Sequence, residues 1–154
     1  MLQPHQRARG QRDQELVEAV AGRADAGNLG SLLSGIGVVV DACDNFATRF
    51  LLNRLCHASA TPLVSGAAIR WEGQLAVYSS QRGAPCYRCL YGETGEPEDT
   101  CTGNGVLAPV VGIIGSMQAS EVIKVITGIG EPLSGRLFLF DAASFTTRIV
   151  RVRK

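Results

Sequence analysis

The sequence lacks the features that mark exported and membrane-spanning chains. No apolar core follows the polar N-terminal stretch, residues 1–15, so a secretory signal peptide is not predicted. The longest apolar stretch, residues 106–129, is interrupted by Gln118, Glu121 and Lys124, which argues against a membrane helix. Five cysteines, an odd number, without an export signal predict a reducing cytoplasm and a metal or catalytic use for some of these residues.

An excess of charge of one sign is also lacking. Fifteen basic and 14 acidic residues leave a formal net charge of +1, which predicts neither nucleic acid nor a membrane surface as a partner. With 154 residues and 45% hydrophobic content, the chain can bury the core of a single domain, residues 1–154. Residues 1–14 show no periodic pattern and are expected to be poorly ordered.

The apolar pattern predicts an α/β protein. The β-branched run at residues 38–40 predicts a buried strand over residues 37–41, and Asp44 with Asn45 supplies the N-cap of a helix over residues 45–60. The other predicted elements are strands at 15–21, 62–66, 74–79, 135–141 and 147–153, helices at 25–33 and 109–127, and a long loop at 81–104. This order favours a Rossmann-like sheet flanked by helices, parallel first and mixed or antiparallel toward the C-terminus.

Asp44 places a carboxylate at the junction between a strand and a helix. Ligands of open α/β sheets collect at the carboxyl ends of strands, where the free N–H groups of helix N-termini attract phosphate. A carboxylate at that place is suited to magnesium, which in turn holds phosphate. A plain N-cap aspartate is the alternative interpretation.

The helix at 109–127 has one face of small residues, Gly112, Gly115, Ser116 and Ala119. Each glycine inside a helix costs about 1 kcal/mol relative to alanine. This cost predicts a very close neighbour, either a sheet or another helix, and a direct ligand contact is the minor alternative.

Cys86 and Cys89 form a CxxC pair, which matches half of a structural zinc site. A redox dithiol is the rival, but such a dithiol usually precedes a helix, and the sequence after Cys89 predicts a loop. Zinc is therefore favoured, although the sequence holds no second CxxC pair to complete the site. Cys43, Cys56 and His57 are interpreted as core or surface residues.

Cys101 stands alone in a polar loop before the helix at 109–127. A thiolate near a helix N-terminus is a candidate nucleophile, and an ordinary loop cysteine is the alternative.

The motifs at residues 41–49, 64–74, 86–90, 101–109 and 112–124 together resemble, in this order, the MoeB/ThiF/HesA family, relatives of the ubiquitin-activating enzymes. The resemblance covers about residues 17–154. It implies a Rossmann-like adenylyltransferase that uses ATP and Mg²⁺ to adenylate the C-terminal glycine of a ubiquitin-like sulfur-carrier protein. It also implies a role in molybdopterin or thiamine thiazole biosynthesis, and a homodimer.

The same resemblance implies roles for particular residues around the nucleotide. Asp44 corresponds to the family aspartate beside magnesium and the triphosphate, and Asn45 and Arg49 are expected to shape the same end of the ATP pocket. The stretch 65–74 resembles the channel for the carrier's tail. Residues 65–74 are closer to the molybdopterin branch, whereas 95–101 are closer to the thiazole branch.

The cysteines and the two chain ends carry further implications. Cys86 and Cys89 correspond to the first zinc pair, and Cys101 to a cysteine that is reactive in some members. The Gly-rich GxGGLG turn of the family has no counterpart, because residues 27–31 are too sparse in glycine. The chain thus resembles the C-terminal two-thirds of a member, and we expect a poor enzyme on its own.

Three function classes stay open. The first is an ATP-dependent adenylyltransferase. The second is a non-catalytic module that binds the carrier and dimerises, and the third, least favoured, is a dithiol oxidoreductase.

Overall fold

The computed structural model describes residues 17–92 and 105–154, and within them one sheet has the strand order β1-β2-β3-β4-β5. The elements in chain order are α1 (Leu29–Leu32), β1 (Val39–Asp41), α2 (Phe46–Ala58), β2 (Leu63–Ile69), β3 (Glu72–Tyr78), α3 (Tyr87–Tyr91), α4 (Ala108–Thr127), β4 (Arg136–Asp141) and β5 (Thr146–Arg151). β1 pairs parallel with β2, and all later neighbours pair antiparallel. The predicted α/β class, with parallel pairing first and antiparallel pairing later, is confirmed.

Local signals place the two long helices. The Asn45 side chain accepts a hydrogen bond from the Thr48 N–H at 2.8 Å and caps α2. Pro109 lies in the first turn of α4, and Gly128, with φ of 69°, ends that helix in the left-handed conformation. The start of α2 and both ends of α4 agree with the sequence prediction to within one residue, whereas α2 ends at Ala58, two residues before its predicted end.

Several predicted elements differ from the structure. Residues 17–21 form no strand; Val17 and Val20 are 81% and 57% exposed, so no burial supports the extended pairing that a strand needs. The predicted helix at 25–33 shortens to α1, because the Asp25 carboxylate accepts the N–H groups of Gly27 and Asn28 in a preceding turn. The hairpin β2–β3 is longer than predicted and turns at 70–71.

The predicted loop at 81–104 contains a helix, α3, so the loop prediction is wrong there; residues 93–104 lie outside the described part. The aromatic rings of α3 explain the helix. Tyr87 packs edge-to-face on Phe50 with ring centroids 5.3 Å apart, and Tyr91 packs on Phe46 at 5.8 Å. This burial against α2 favours helix where the local glycines and prolines favoured a loop.

Helices cover both faces of the sheet. α2 and α3 lie over one face around a core that includes Leu52, Cys56 and Leu63, while α4 crosses β2 and β3 on the other. Among the described helices, α4 alone has the length and mean hydropathy, 1.4, of a membrane span, and 22% of it is buried. Core helices pass the same test, and α4 packs Ile114 and Gln118 against the sheet.

The small-residue face of α4 does not make the close contact that the sequence predicted within the described chain. A Cβ added at Gly112 or Gly115 would meet no atom within 4 Å. The glycines at the helix–sheet contact belong to the strands instead: a Cβ at Gly66 would lie 2.4 Å from the Gln118 side chain, and one at Gly73 would lie 2.6 Å from Ile114. The helix therefore approaches the sheet closely because glycines of the strands lie beneath large side chains of α4.

Candidate functional site

A pocket of about 160 Å³ opens beyond the carboxyl end of β1. The end of β2 and the start of β3 supply most of its wall. Residues of α2 and α3 close the other side. Its lining residues are Asp44, Phe46, Arg49, Ala67, Ala68, Ile69, Glu72, Gly73, Gln74, Tyr87 and Leu139. The stretch 65–74, which the sequence associated with a tail channel, therefore supplies much of this wall.

Asp44 lies exposed at the pocket, and its carboxylate does not cap the helix. The cap is Asn45, so the alternative interpretation of Asp44 as a plain N-cap is wrong. The Nδ2 of Asn45 lies 3.5 Å from Asp44 Oδ1. Asp44 thus presents a negative charge at the pocket, whereas the side chain of Asn45 is occupied by the backbone of α2.

Arg49 is almost fully buried, with a side-chain exposure of 6%. Its Nη1 donates to Asp41 Oδ2 at 3.0 Å and to Ser65 Oγ at 3.1 Å. Its Nη2 donates to the carbonyl oxygens of Gly66, at 3.0 Å, and of Cys43. The guanidinium therefore meets four acceptors within the protein, and it lines the pocket from behind.

Asp41 is the buried partner that the sequence analysis missed as a site residue. Its Oδ2 also accepts a hydrogen bond from Ser65 Oγ at 2.8 Å, and its Oδ1 accepts one from the Cys43 N–H at 2.9 Å. Its main-chain carbonyl accepts from Gln118 Nε2 at 2.8 Å. An aspartate that ends a buried strand, with an arginine on the inner face of the next helix, is the signal that could have predicted this pair.

The CxxC pair lies at the start of α3, where Cys86 occupies the N-cap position. The Sγ atoms of Cys86 and Cys89 are 3.8 Å apart. Zn–S bonds of about 2.3 Å in a tetrahedral site place two sulfurs about 3.8 Å apart, so this spacing fits a zinc half-site. No group of three potential metal-ligating side chains occurs within residues 17–92 and 105–154, so the described part offers two of the usual four ligands.

The argument that favoured zinc because a loop follows Cys89 is wrong, since α3 includes that residue. The metal interpretation now rests on the sulfur spacing alone. Burial opposes ionisation of Cys86, but hydrogen bonds from the Cys89 backbone, the Asn53 side chain and the Arg88 backbone lower the pKa of its thiol below the ordinary value. A stabilised thiolate suits metal ligation and thiol chemistry alike.

Asn53 is a second residue that the sequence analysis missed. It is buried in α2, and its Oδ1 accepts a hydrogen bond from the Tyr87 N–H at 2.9 Å, which ties α3 to α2. The signal in the sequence is the helical spacing of Arg49 and Asn53, which puts a second polar residue on the buried face.

The other cysteines differ in their surroundings. Burial and the Asp41 carboxylate raise the pKa of Cys43 to about 12, and burial raises the pKa of Cys56 to about 11, so both thiols stay neutral at physiological pH. Cys56 lies in the core, which is one of the two placements that the sequence analysis left open. Cys101, the candidate nucleophile, lies outside the described residues, so its role stays a prediction.

Comparison with known proteins assigns this chain to a family. The profile of the ThiF family matches residues 7–154. The chain belongs to the ThiF family. It is 45% identical over 130 residues to a molybdopterin-synthase adenylyltransferase of Escherichia coli (strain K12), a match that covers 84% of this chain and 52% of that protein.

A second relative agrees with this membership, and a solved structure agrees with the fold. The chain is 48% identical over 126 residues to the adenylyltransferase and sulfurtransferase MOCS3 of Dictyostelium discoideum, covering 79% of this chain and 29% of that protein. The fold matches the crystal structure of Escherichia coli MccB with a TM-score of 0.74 at 17% identity, covering 97% of this chain and 46% of that one. The ThiF-family chain thus spans about half the length of its bacterial relative, and the family resemblance is confirmed.

Proposed function

We propose that this ThiF-family chain carries the carrier-binding part of an ATP-dependent adenylation site. In this proposal, the pocket beyond β1 receives the C-terminal glycine of a ubiquitin-like sulfur-carrier protein, and Asp44 holds the magnesium of ATP. The observation that carries it is an exposed aspartate, not engaged in helix capping, beside a pocket walled by Ala67, Ala68 and Gly73. The names of the relatives support the reaction class.

The shape of the wall suits an extended, side-chain-poor tail. Ala67, Ala68 and Gly73 present little bulk, and the Gly73 position is blocked from behind by Ile114. A tail held there is restricted in orientation, and positioning a carboxylate against a phosphate is a major part of acyl adenylation. A glycine tail fits because it brings backbone without side chains to a narrow space.

Asp44 suits magnesium better than phosphate. Magnesium is usually bound through one or two carboxylates together with substrate phosphates and retained waters, and Asp44 is exposed enough to act in that way. When bound, the ion would supply positive charge to the phosphates. Zinc at Cys86 and Cys89, whose sulfur spacing fits the ion, would hold α3 in place and not take part in adenylation.

The second candidate is a non-catalytic module that binds the carrier and dimerises. It is favoured by Arg49, because this cationic residue of the pocket lining directs its guanidinium to acceptors inside the protein. A triphosphate would then need cationic donors other than Arg49.

Carrier-dependent ATP–pyrophosphate exchange separates the two functions. We would assay the purified chain with a sulfur carrier of the molybdopterin-synthase type and with the same carrier lacking its last glycine. Exchange that requires the terminal glycine and is lost in Asp44→Asn supports the adenylyltransferase, and Glu18→Gln, an exposed acid outside the pocket, is the matched control. Carrier binding without exchange would refute catalysis by this chain and support the module.

A further inference from the structure

Arg49, in α2, joins two segments of the chain around the pocket, residues 41–43 and residues 65–66. Through Nη1 it holds Asp41, at the end of β1, and Ser65 of β2. Through Nη2 it holds two main-chain carbonyls, those of Cys43 and Gly66. Asp41 is 1% exposed and Arg49 is 6% exposed, so water competes little for any of these bonds.

The two carbonyls held by Nη2 immediately precede residues that line the pocket. A peptide group is planar, so a bond to the carbonyl of one residue also fixes the orientation of the N–H of the next. The Cys43 carbonyl therefore sets the peptide plane that enters Asp44, and the Gly66 carbonyl sets the plane that enters Ala67. One nitrogen atom thus orients the peptide groups that enter two residues of the pocket lining, Asp44 and Ala67.

The burial of the Arg49 guanidinium restricts the geometry of its hydrogen-bond network. A guanidinium removed from water is costly unless its N–H groups are paired, and its planar fork can pair only in a narrow range of directions. Asp41 supplies the opposite charge, and Ser65 Oγ donates to the same carboxylate oxygen at 2.8 Å. The network can satisfy Arg49 only while the end of β1 and the middle of β2 keep their present separation.

We propose that Arg49 is a positioning residue that sets the distance between Asp44 and the Ala67 wall, and that it does not contact the nucleotide. The expected effect of Arg49 on ATP binding rests on the proposed function, whereas its expected effect on the backbone at Asp44 and Ala67 does not. The positioning role gives a physical content to the expectation that Arg49 shapes this end of the pocket, because the residue acts from behind the pocket lining.

The effect of Arg49 on the backbone at Asp44 and Ala67 is tested by backbone amide NMR of the full chain, without any ligand. We expect Arg49→Lys, which keeps the charge and loses the fork, to shift or broaden the amide resonances of Asp44 and Ala67 selectively. In Arg49→Ala, added guanidinium chloride at low millimolar concentration should restore them. Arg54→Ala, which removes an exposed arginine of the same helix, is the control and should leave both signals unchanged.

The functional consequence is tested by the affinity for ATP–magnesium of the same variants. We expect roughly tenfold weaker binding for Arg49→Lys, with recovery in Arg49→Ala when guanidinium returns. Unchanged Asp44 and Ala67 amides in a folded Arg49 variant would overturn the inference, whatever the nucleotide does. Absence of ATP binding by the wild-type chain, with the amide shifts as expected, would instead refute the proposed function and leave the positioning role standing.

Discussion

Replacement of Gly66 by alanine is a sharp test of how α4 approaches the sheet. The added Cβ would lie 2.4 Å from Gln118 Cδ and 2.5 Å from its Oε1, so the glutamine side chain must move. That side chain is buried, and its Nε2 donates to the carbonyls of Asp41 at 2.8 Å and Val64 at 3.4 Å. The clash is therefore relieved only by breaking hydrogen bonds inside the protein.

The magnitude follows from these bonds. Each lost hydrogen bond removes about 1 kcal/mol, and a buried amide left unpaired adds about 1–3 kcal/mol. The lower entropy of alanine in the unfolded chain returns about 0.4–1 kcal/mol. We expect Gly66→Ala to lower the free energy of unfolding by about 2–5 kcal/mol, which for a chain of this size lowers the Tm by roughly 4–20 °C.

Chemical denaturation and calorimetry measure the effect, and two other variants make it specific. Gly112→Ala is the same substitution at an open position of α4, and we expect it to stabilise the protein by about 0.5–1 kcal/mol. In a Gln118→Ala background the clash is gone, so Gly66→Ala should cost little. An equal cost in both backgrounds would refute the proposed steric and hydrogen-bonding origin.

Three further expectations concern a buried carboxylate and the thiols of the described residues. Glu121→Ala should lower the free energy of unfolding by about 2–3 kcal/mol in urea titrations, because its buried carboxylate accepts the Leu133 N–H at 2.8 Å; a loss below about 0.5 kcal/mol would contradict this. In the native, metal-free chain at about pH 7.5, iodoacetamide should label Cys86 and spare Cys43 and Cys56, whose pKa values are raised; mass spectrometry showing equal labelling would contradict it. Since the pKa of Cys86 is lowered, its alkylation rate should persist as the pH falls below the ordinary thiol pKa, and a rate profile like that of a free cysteine would argue against the hydrogen bonds described.

Local chemistry explains what could be predicted from the sequence. The strand before Asp41 and the cap of α2 are encoded by neighbouring residues, a β-branched run and Asn45, which act over a few positions. The same holds for α4, whose start and end are signalled by Pro109 and Gly128. These signals were enough for the fold class and for placing Asp44 at the carboxyl end of β1.

What could not be predicted depends on contacts between distant segments. α3 forms because its tyrosines meet two phenylalanines of α2, whereas its local sequence favours a loop. The glycines of α4 were expected to mark the close contact, but whether a glycine faces a neighbour or open space is decided by the rotation of the helix over the sheet. The role of Arg49 likewise depends on Ser65 and Gly66, which are 16 and 17 residues away.

The central claim, that Asp44 marks a magnesium–nucleotide site, is tested most directly by isothermal titration of ATP–magnesium into the purified chain. The account predicts saturable binding by the wild-type chain and by Glu18→Gln, and at least about tenfold weaker binding by Asp44→Asn. Because the Asp44 carboxylate is exposed and does not cap α2, its replacement should leave the fold intact, as circular dichroism would show. Equal affinities in all three proteins, or no binding by a folded wild-type chain, would contradict the claim.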